Sequence, residues 1–246
     1  MENKFRIDEV LSRSFEIYFR NLGPLLLIGL AAYLPIQLIQ YALAADMTGE
    51  MSGFAWLVWG FSIVIGVVLS YVMQGAVVFG VYQNLNGRPF QIGRCVSVAV
   101  GRLWVILGVS IVASLLIGIG LMLLIIPGII IALVLWVAVP AAVVERRGVG
   151  DSLGRSRELT DGSRLRIFGL LVIIGIISGA LTFGVSMIMG LMMSASGESS
   201  LGFILVSALT SALVGLLQSV VTAVGYYYLR MDVEGLDVSE IVAVFD

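Results

Sequence analysis

The chain contains no histidine and only one cysteine, Cys95. Without histidine, a Ser-His-Asp triad and the common histidine-based zinc sites are excluded. A single cysteine cannot form a disulfide within the chain, so no disulfide framework supports the fold. Charged residues make up only 12% of the 246 residues, whereas a soluble domain carries about a quarter. These absences disfavour a soluble domain and predict neither a cofactor nor a metal site.

Long apolar runs take the place of charge, since 59% of the residues are hydrophobic and the mean hydropathy is +1.07. Each run is close to the roughly 20 residues that cross a hydrocarbon core. No run contains an ionisable residue in its interior, which disfavours proton-coupled transport. The pattern predicts an all-α integral membrane protein with six transmembrane helices in a single domain, 1–246. The runs cover 22–45, 54–82, 103–126, 128–144, 167–193 and 201–229.

The basic residues lie on one side of this six-span arrangement, and the turns on the other side contain no basic residue. All 14 Lys and Arg residues lie on one side, and the turns on the other side carry only Asp46, Glu50 and Glu198. Basic residues concentrate on the cytoplasmic side of membrane proteins. The sequence therefore predicts a multi-pass protein of a prokaryotic cytoplasmic (inner) membrane, with both termini in the cytoplasm.

The basic segments between spans resemble one another. Residues 11–16 and 153–158 share the pattern Leu-x-Arg-Ser-x-Glu, whereas 92–96 keeps the spacing without the letters. This pattern predicts three helical-hairpin units, each preceded by a cytoplasmic amphipathic segment, although chance similarity remains open for the middle copy. The units span about 1–83, 84–146 and 147–229, and an acidic cytoplasmic tail follows at 230–246.

Those amphipathic segments are predicted to lie at the membrane interface. In the first segment, Ile7, Leu11 and Phe15 recur at helical spacing. A helix with one apolar face and basic residues on the other binds at the level of the lipid headgroups. Anchoring of the bundle without lipid recognition is the alternative. The predicted headgroup contacts are Arg13, Arg20, Arg94, Arg102, Arg155, Arg157, Arg164 and Arg166.

Small residues recur every four positions in the last two spans. Such stripes let helix backbones approach closely in a membrane, so they predict tight packing and either a protein partner or self-association through spans five and six. Gln37, Gln74 and Gln218 are read either as interhelical hydrogen-bonding groups or as parts of a polar path. The predicted packing residues are Gly175, Gly179, Ser207, Ser211, Gly215 and Ser219.

Spans three and four form one apolar run that is broken by Ile125-Ile126-Pro127-Gly128. Proline lacks the backbone N–H and glycine tolerates turn geometry. The dipeptide predicts a tight turn at the outer surface, with a kinked re-entrant element as the alternative.

Several apolar motifs together resemble a known group of membrane proteins. The motifs are Phe19–Leu25, Leu124–Ile129, Ala141–Glu145, Leu153–Ser156 and Tyr227–Arg230 with Glu234–Leu236. The chain resembles uncharacterised prokaryotic proteins grouped with the membrane domain of glycerophosphoryl diester phosphodiesterases. This resemblance implies a multi-span membrane protein of unknown activity. The diesterase chemistry of that group belongs to a separate soluble barrel that uses histidines and acids, so no catalytic residue carries over.

The expected function is therefore that of a non-enzymatic membrane scaffold or lipid-interacting protein whose partners are membrane lipids. A facilitator or channel for a small, weakly polar or lipid-like solute is the main alternative. A membrane-embedded enzyme would require acids near the cytoplasmic rim, such as Glu145, Asp151 and Glu158. The basic loops lack a domain that would bind nucleic acid.

Overall fold

In a computed structural model, residues 5–45, 53–196 and 201–235 are described, and they form ten α-helices and no strand. Six helical stretches are long and apolar enough to cross a membrane, which confirms the predicted class and number of spans. The predicted turns around Asp46, Glu50 and Glu198, and the tail beyond residue 235, lie outside the described residues. The helices are α1 (Ile7–Arg20), α2 (Leu22–Ala45), α3 (Gly53–Leu85), α4 (Ile92–Gly101), α5 (Leu103–Leu123), α6 (Ile125–Val134), α7 (Ala138–Val144), α8 (Val149–Thr160), α9 (Arg164–Ser196) and α10 (Leu201–Glu234).

The arginine-bearing segments meet at one end of the bundle, which we call the arginine end. It comprises α1, α4, α8, the loops flanking α4 and α8, and the last turn of α10. Arg20 joins α1 to the end of α3 by donating to Asn84 Oδ1 at 2.6 Å. Arg166, at the start of α9, donates to the carbonyl of Phe5. Side-chain hydrogen bonds therefore gather segments that are distant in sequence.

Helix α10 is the central element and packs mainly against α2, α3 and α1. Its inward face carries buried Leu216, Val220 and Tyr226. A Cβ on Gly29 of α2 would lie 2.9 Å from Leu216 Cδ1. Small residues on one helix thus accommodate large residues on the other, and this packing stabilises helices in lipid.

The predicted packing residues have different environments. A Cβ on Gly215 would lie 2.5 Å from Tyr33 Oη, so α2 and α10 are close at this point. Ser219 is buried in the same region and donates to the carbonyl of Gly215. By contrast, Ser207 and Ser211 line a cleft of about 340 Å³ between α9 and α10. Apart from the neighbouring residues and backbone of α9 itself, no described atom lies within 4 Å of a Cβ built on either of two further glycines, Gly175 and Gly179.

The connection between α5 and α6 differs from the predicted Pro-Gly turn. Leu124 alone separates the two helices, with extended backbone at φ −158°. Pro127 lies in the first turn of α6, where backbone N–H groups have no intrahelical acceptor and a missing donor costs little. Gly128 allows the backbones of α5 and α6 to approach closely, because a Cβ built on it would lie 2.6 Å from the backbone nitrogen of Leu121.

The fourth span is interrupted between α6 and α7. Pro140 follows the interruption and leaves the carbonyl of Trp136 without its helical donor, and the N–H of Ala138 donates to the carbonyl of Leu135 rather than to that of Val134. The carbonyl of Val134 instead accepts hydrogen bonds from Ser156 at 2.7 Å and Thr160 at 3.4 Å. The buried face of α8 is therefore polar because it pairs with the freed backbone of the broken span.

Candidate functional site

The eight arginines predicted as headgroup contacts fall into two groups. Arg94 and Arg157 have no carboxylate or carbonyl partner within the described parts of the chain. An arginine that is already paired has less capacity for a lipid phosphate. The six that pair with a carboxylate or donate to a backbone carbonyl are Arg13, Arg20, Arg102, Arg155, Arg164 and Arg166.

Two arginines absent from the sequence-based set join Arg94 around an open pocket of about 870 Å³ at the arginine end. Arg88 comes from the loop between α3 and α4, and Arg146 comes from the loop after α7. We call this cavity the arginine pocket, and Tyr82, Asn86 and Tyr227 also line it. No Asp or Glu is among the described residues that line it.

The end of α3 positions Arg88. Gly87 has φ +70°, in the left-handed region that glycine adopts without a steric cost. The N–H of Gly87 donates to the carbonyl of Asn84, and the N–H of Arg88 donates to the carbonyl of Gln83. This pair of bonds is a Schellman motif, which ends a helix and reverses the chain direction. The helix end thereby fixes the backbone from which Arg88 projects.

Arg146 has an unfavourable backbone conformation, with φ +55°. Left-handed geometry costs a residue with a Cβ about 1–2 kcal/mol. Arg102 stabilises the loop by donating from Nη2 to the carbonyl of Arg146 at 2.8 Å and from Nη1 to that of Arg147 at 3.3 Å. Strained residues that are held in place by their surroundings occur often at functional sites. The strained backbone of Arg146 therefore makes the pocket a candidate functional site.

A buried ion-pair network centred on Glu145 lies beside the pocket. Glu145 Oε1 accepts from Tyr226 Oη at 2.7 Å and from Arg155 Nε at 3.1 Å. Its Oε2 accepts from Arg147 Nε at 2.6 Å. Partial burial raises the pKa of Glu145, but the hydrogen bonds from Tyr226 and Arg155 and the charge of Arg155 outweigh it, so the pKa lies below its ordinary value. Glu145 is therefore ionised and fully paired at neutral pH.

The same network extends to the pocket wall through α10. Arg155 also pairs with Glu234, which in turn accepts from Arg230 Nε at 2.9 Å. Arg230 Nη1 donates to Tyr82 Oη at 3.0 Å. Because the Tyr82 hydroxyl accepts this bond, its own proton remains available to an acceptor in the pocket.

Large apolar side chains are exposed next to arginines where three of the spans begin. Phe19 is 65% exposed beside Arg20, before α2. Trp104 is 83% exposed near the start of α5, and Leu165 is 87% exposed near the start of α9. Aromatic and basic residues together are typical of the membrane–water interface.

One family model matches the chain. It is described as a domain of unknown function, DUF7847, and matches residues 54–230. The chain belongs to this family. Comparisons with curated proteins and with solved structures gave no match. Nothing in the family match links the chain to the phosphodiesterase membrane domain, so that resemblance stays a prediction.

The whole arginine pocket lies within the DUF7847 match, since its lining residues run from Phe79 to Tyr227. Helices α1 and α2 precede the matched segment. Gln37, Gln74 and Gln218 line neither this pocket nor the cleft between α9 and α10. The DUF7847 segment therefore contains the pocket, and the glutamines weighed for a polar path lie elsewhere.

Proposed function

We propose that the protein is a non-enzymatic, lipid-interacting membrane protein that recognises anionic lipids at its arginine end. The supporting observation is the recurrence of an exposed Phe, Trp or Leu beside arginine at three span starts. Apolar side chains in this position enter the acyl boundary while guanidinium groups reach the headgroups. Anionic lipids add an electrostatic attraction of about 1 kcal/mol per basic residue near the surface.

The pairing of acids supports a non-enzymatic role. Among the acids that an embedded enzyme would require, Glu145 is engaged by Arg147, Arg155 and Tyr226. Glu158 is 66% exposed and pairs with Arg155, and Asp151 is exposed on α8. These carboxylates do not converge on a shared cavity among those described above, as acid–base chemistry would require.

The protein is expected to unfold at a higher temperature in vesicles containing phosphatidylglycerol than in phosphatidylcholine alone. Replacing Trp104 by alanine should reduce this difference, because the indole no longer anchors the arginine end at the headgroup level. The same change at Trp56, near the start of α3, is the matched control. High salt should weaken the lipid preference. Equal unfolding temperatures in the two lipids would contradict the proposal.

We further propose a prokaryotic cytoplasmic membrane as the location, with the arginine end facing the cytoplasm. Cys95 cannot report this orientation, because it is fully buried and burial raises the pKa of its thiol. In a Cys95→Ala background, cysteine at exposed Ser97 of α4 should resist an impermeant thiol reagent in intact cells. Cysteines at Gly49 and Gly197, in the predicted outer turns, should react. The opposite labelling pattern would reverse the orientation.

Two further expectations stay proposals. The facilitator alternative has the broken fourth span in its favour, because interrupted helices in membranes often border binding sites. The bonds from Ser156 and Thr160 to Val134 occupy the freed carbonyl, however, and favour a structural role for the break.

Self-association through spans five and six would use the open glycines Gly175 and Gly179.

A further inference from the structure

We infer that the arginine pocket is a binding site for a phosphate-bearing anion, supplied either by a lipid headgroup or by a small soluble phosphate ester. Only the lipid source rests on the proposed function. The planar guanidinium group donates paired hydrogen bonds that match the geometry of phosphate oxygens. Arg88, Arg94 and Arg146 bring three such groups from different segments to one cavity.

The grouping of three arginines without a described carboxylate partner distinguishes this cavity from the rest of the arginine end. Several other arginines there have a carboxylate close to the guanidinium, as in the pairs Arg13–Glu16 at 2.6 Å and Arg164–Asp161 at 3.0 Å. The acid closest in sequence, Glu145, is already bound by Arg147, Arg155 and Tyr226. Within the described residues, no carboxylate neutralises the positive charge of the pocket, which is therefore available to a bound anion.

The positioning of these arginines is independent evidence for a built site. Arg102 donates to two successive carbonyls and so holds Arg146 in its left-handed conformation. A loop selected only for stability would place glycine or asparagine at such a position. The presence of arginine there is explained if its side chain contacts a ligand.

The shape of the pocket suits a ligand larger than phosphate alone. Its volume of about 870 Å³ falls within the range of small-molecule sites. Phe79, Leu85 and Val144 supply apolar lining beside the arginines, and Tyr82 supplies a free hydroxyl donor. A glycerol phosphate group would place its phosphate on the guanidinium groups and its carbon atoms on this apolar wall.

Binding can be measured by titration calorimetry on the detergent-purified full chain. The probes are inorganic phosphate, glycerol 3-phosphate and dihexanoyl phosphatidic acid, with dihexanoyl phosphatidylcholine as the zwitterionic comparison. The arginine pocket should bind at least one of the three phosphate probes more tightly than phosphatidylcholine. Binding of phosphatidic acid alone would assign the lipid source, and binding of glycerol 3-phosphate or phosphate would assign the soluble one.

Arg88→Gln and Arg94→Gln should each weaken binding about tenfold, the loss expected for a charge-assisted pair. Arg146→Gly should weaken binding similarly while the unfolding temperature stays the same or rises, since glycine relieves the backbone strain. Arg6→Gln, which removes an exposed arginine paired with Asp8 and Glu9, is the control and should bind normally.

The outcomes separate this inference from the proposed function. If none of the phosphate probes binds, or all three pocket variants bind as the wild type does, the site is overturned even where the vesicle preference for phosphatidylglycerol persists. If a soluble phosphate binds and the vesicle preference is absent, the pocket stands and the lipid proposal falls.

Discussion

Replacing Glu145 by glutamine is expected to lower the free energy of unfolding by about 3 kcal/mol, the range seen when one partner of a buried ion pair is removed. The side chains of Glu145 and Arg155 are 10% and 11% exposed, so little water can replace the lost charge. Glutamine keeps the volume and can still accept from Tyr226. Arg155 and Arg147 would both lose their shared counter-charge. Denaturant unfolding in detergent measures the effect.

Glu158→Gln is the matched control, because Glu158 pairs with the same Arg155 but is 66% exposed. An exposed pair contributes about 0–1 kcal/mol, so this variant should unfold close to the wild type. Equal losses for the two variants would show that burial of Glu145 does not matter. A Glu145→Gln variant as stable as the wild type would show that the network does not hold α7, α8 and α10 together.

The effect of Glu145 should also depend on pH. Because its pKa in the folded protein lies below the ordinary 4.5, the carboxylate stabilises the fold fully above about pH 4.5. This contribution is lost as the pH falls through the folded pKa. The stability difference between the wild type and Glu145→Gln should therefore shrink below pH 4.5 and remain constant from there to neutral pH.

The class of the protein and its six spans could be predicted because each span carries its signal within its own residues. About twenty consecutive apolar residues suffice to identify a membrane helix. Finer features depend on neighbours. The break near Trp136 in the fourth span involves Pro140 and the hydroxyls of α8, and periodicity within the span does not show it.

The arginine pocket could not be predicted for the same reason. Arg88 and Arg146 belong to different loops, and only the packed helices bring them to one cavity. The positions of the basic residues in the sequence do not show which arginines form ion pairs with acids. Arg13, Arg155 and Arg94 are therefore equivalent by sequence alone. A signal did exist for Arg88, since Asn86 and Gly87 are typical of a helix C-terminus and place a basic residue just beyond it. Arg146 had no local signal, because its left-handed backbone depends on the distant Arg102.

The spacing of small residues predicts a stripe along the helix, but it does not predict which of these residues contact another helix. Gly215 meets Tyr33, whereas Gly175 and Gly179 border open space in the described part of the chain. Both kinds of glycine follow the same spacing along a helix. The difference arises from which neighbour the fold supplies, and this also determines which glycines tolerate a side chain.

Gly128→Ala should therefore destabilise the protein by about 2 kcal/mol, which is the upper end of the cost of overpacking less the gain from placing alanine instead of glycine in a helix. The added Cβ would lie 2.6 Å from the backbone nitrogen of Leu121 and 2.5 Å from its Cγ and Cδ2. A side chain can rotate away, but the backbone of α5 can give way only if the α5–α6 contact opens.

Gly118→Ala, on the same hairpin, is the matched control, since nothing lies within 4 Å of its Cβ. Alanine is favoured over glycine in a helix by about 1 kcal/mol, so the control should be neutral or stabilising. Opposite signs in thermal unfolding are the expected result, and equal effects would mean that α5 and α6 do not touch at Gly128.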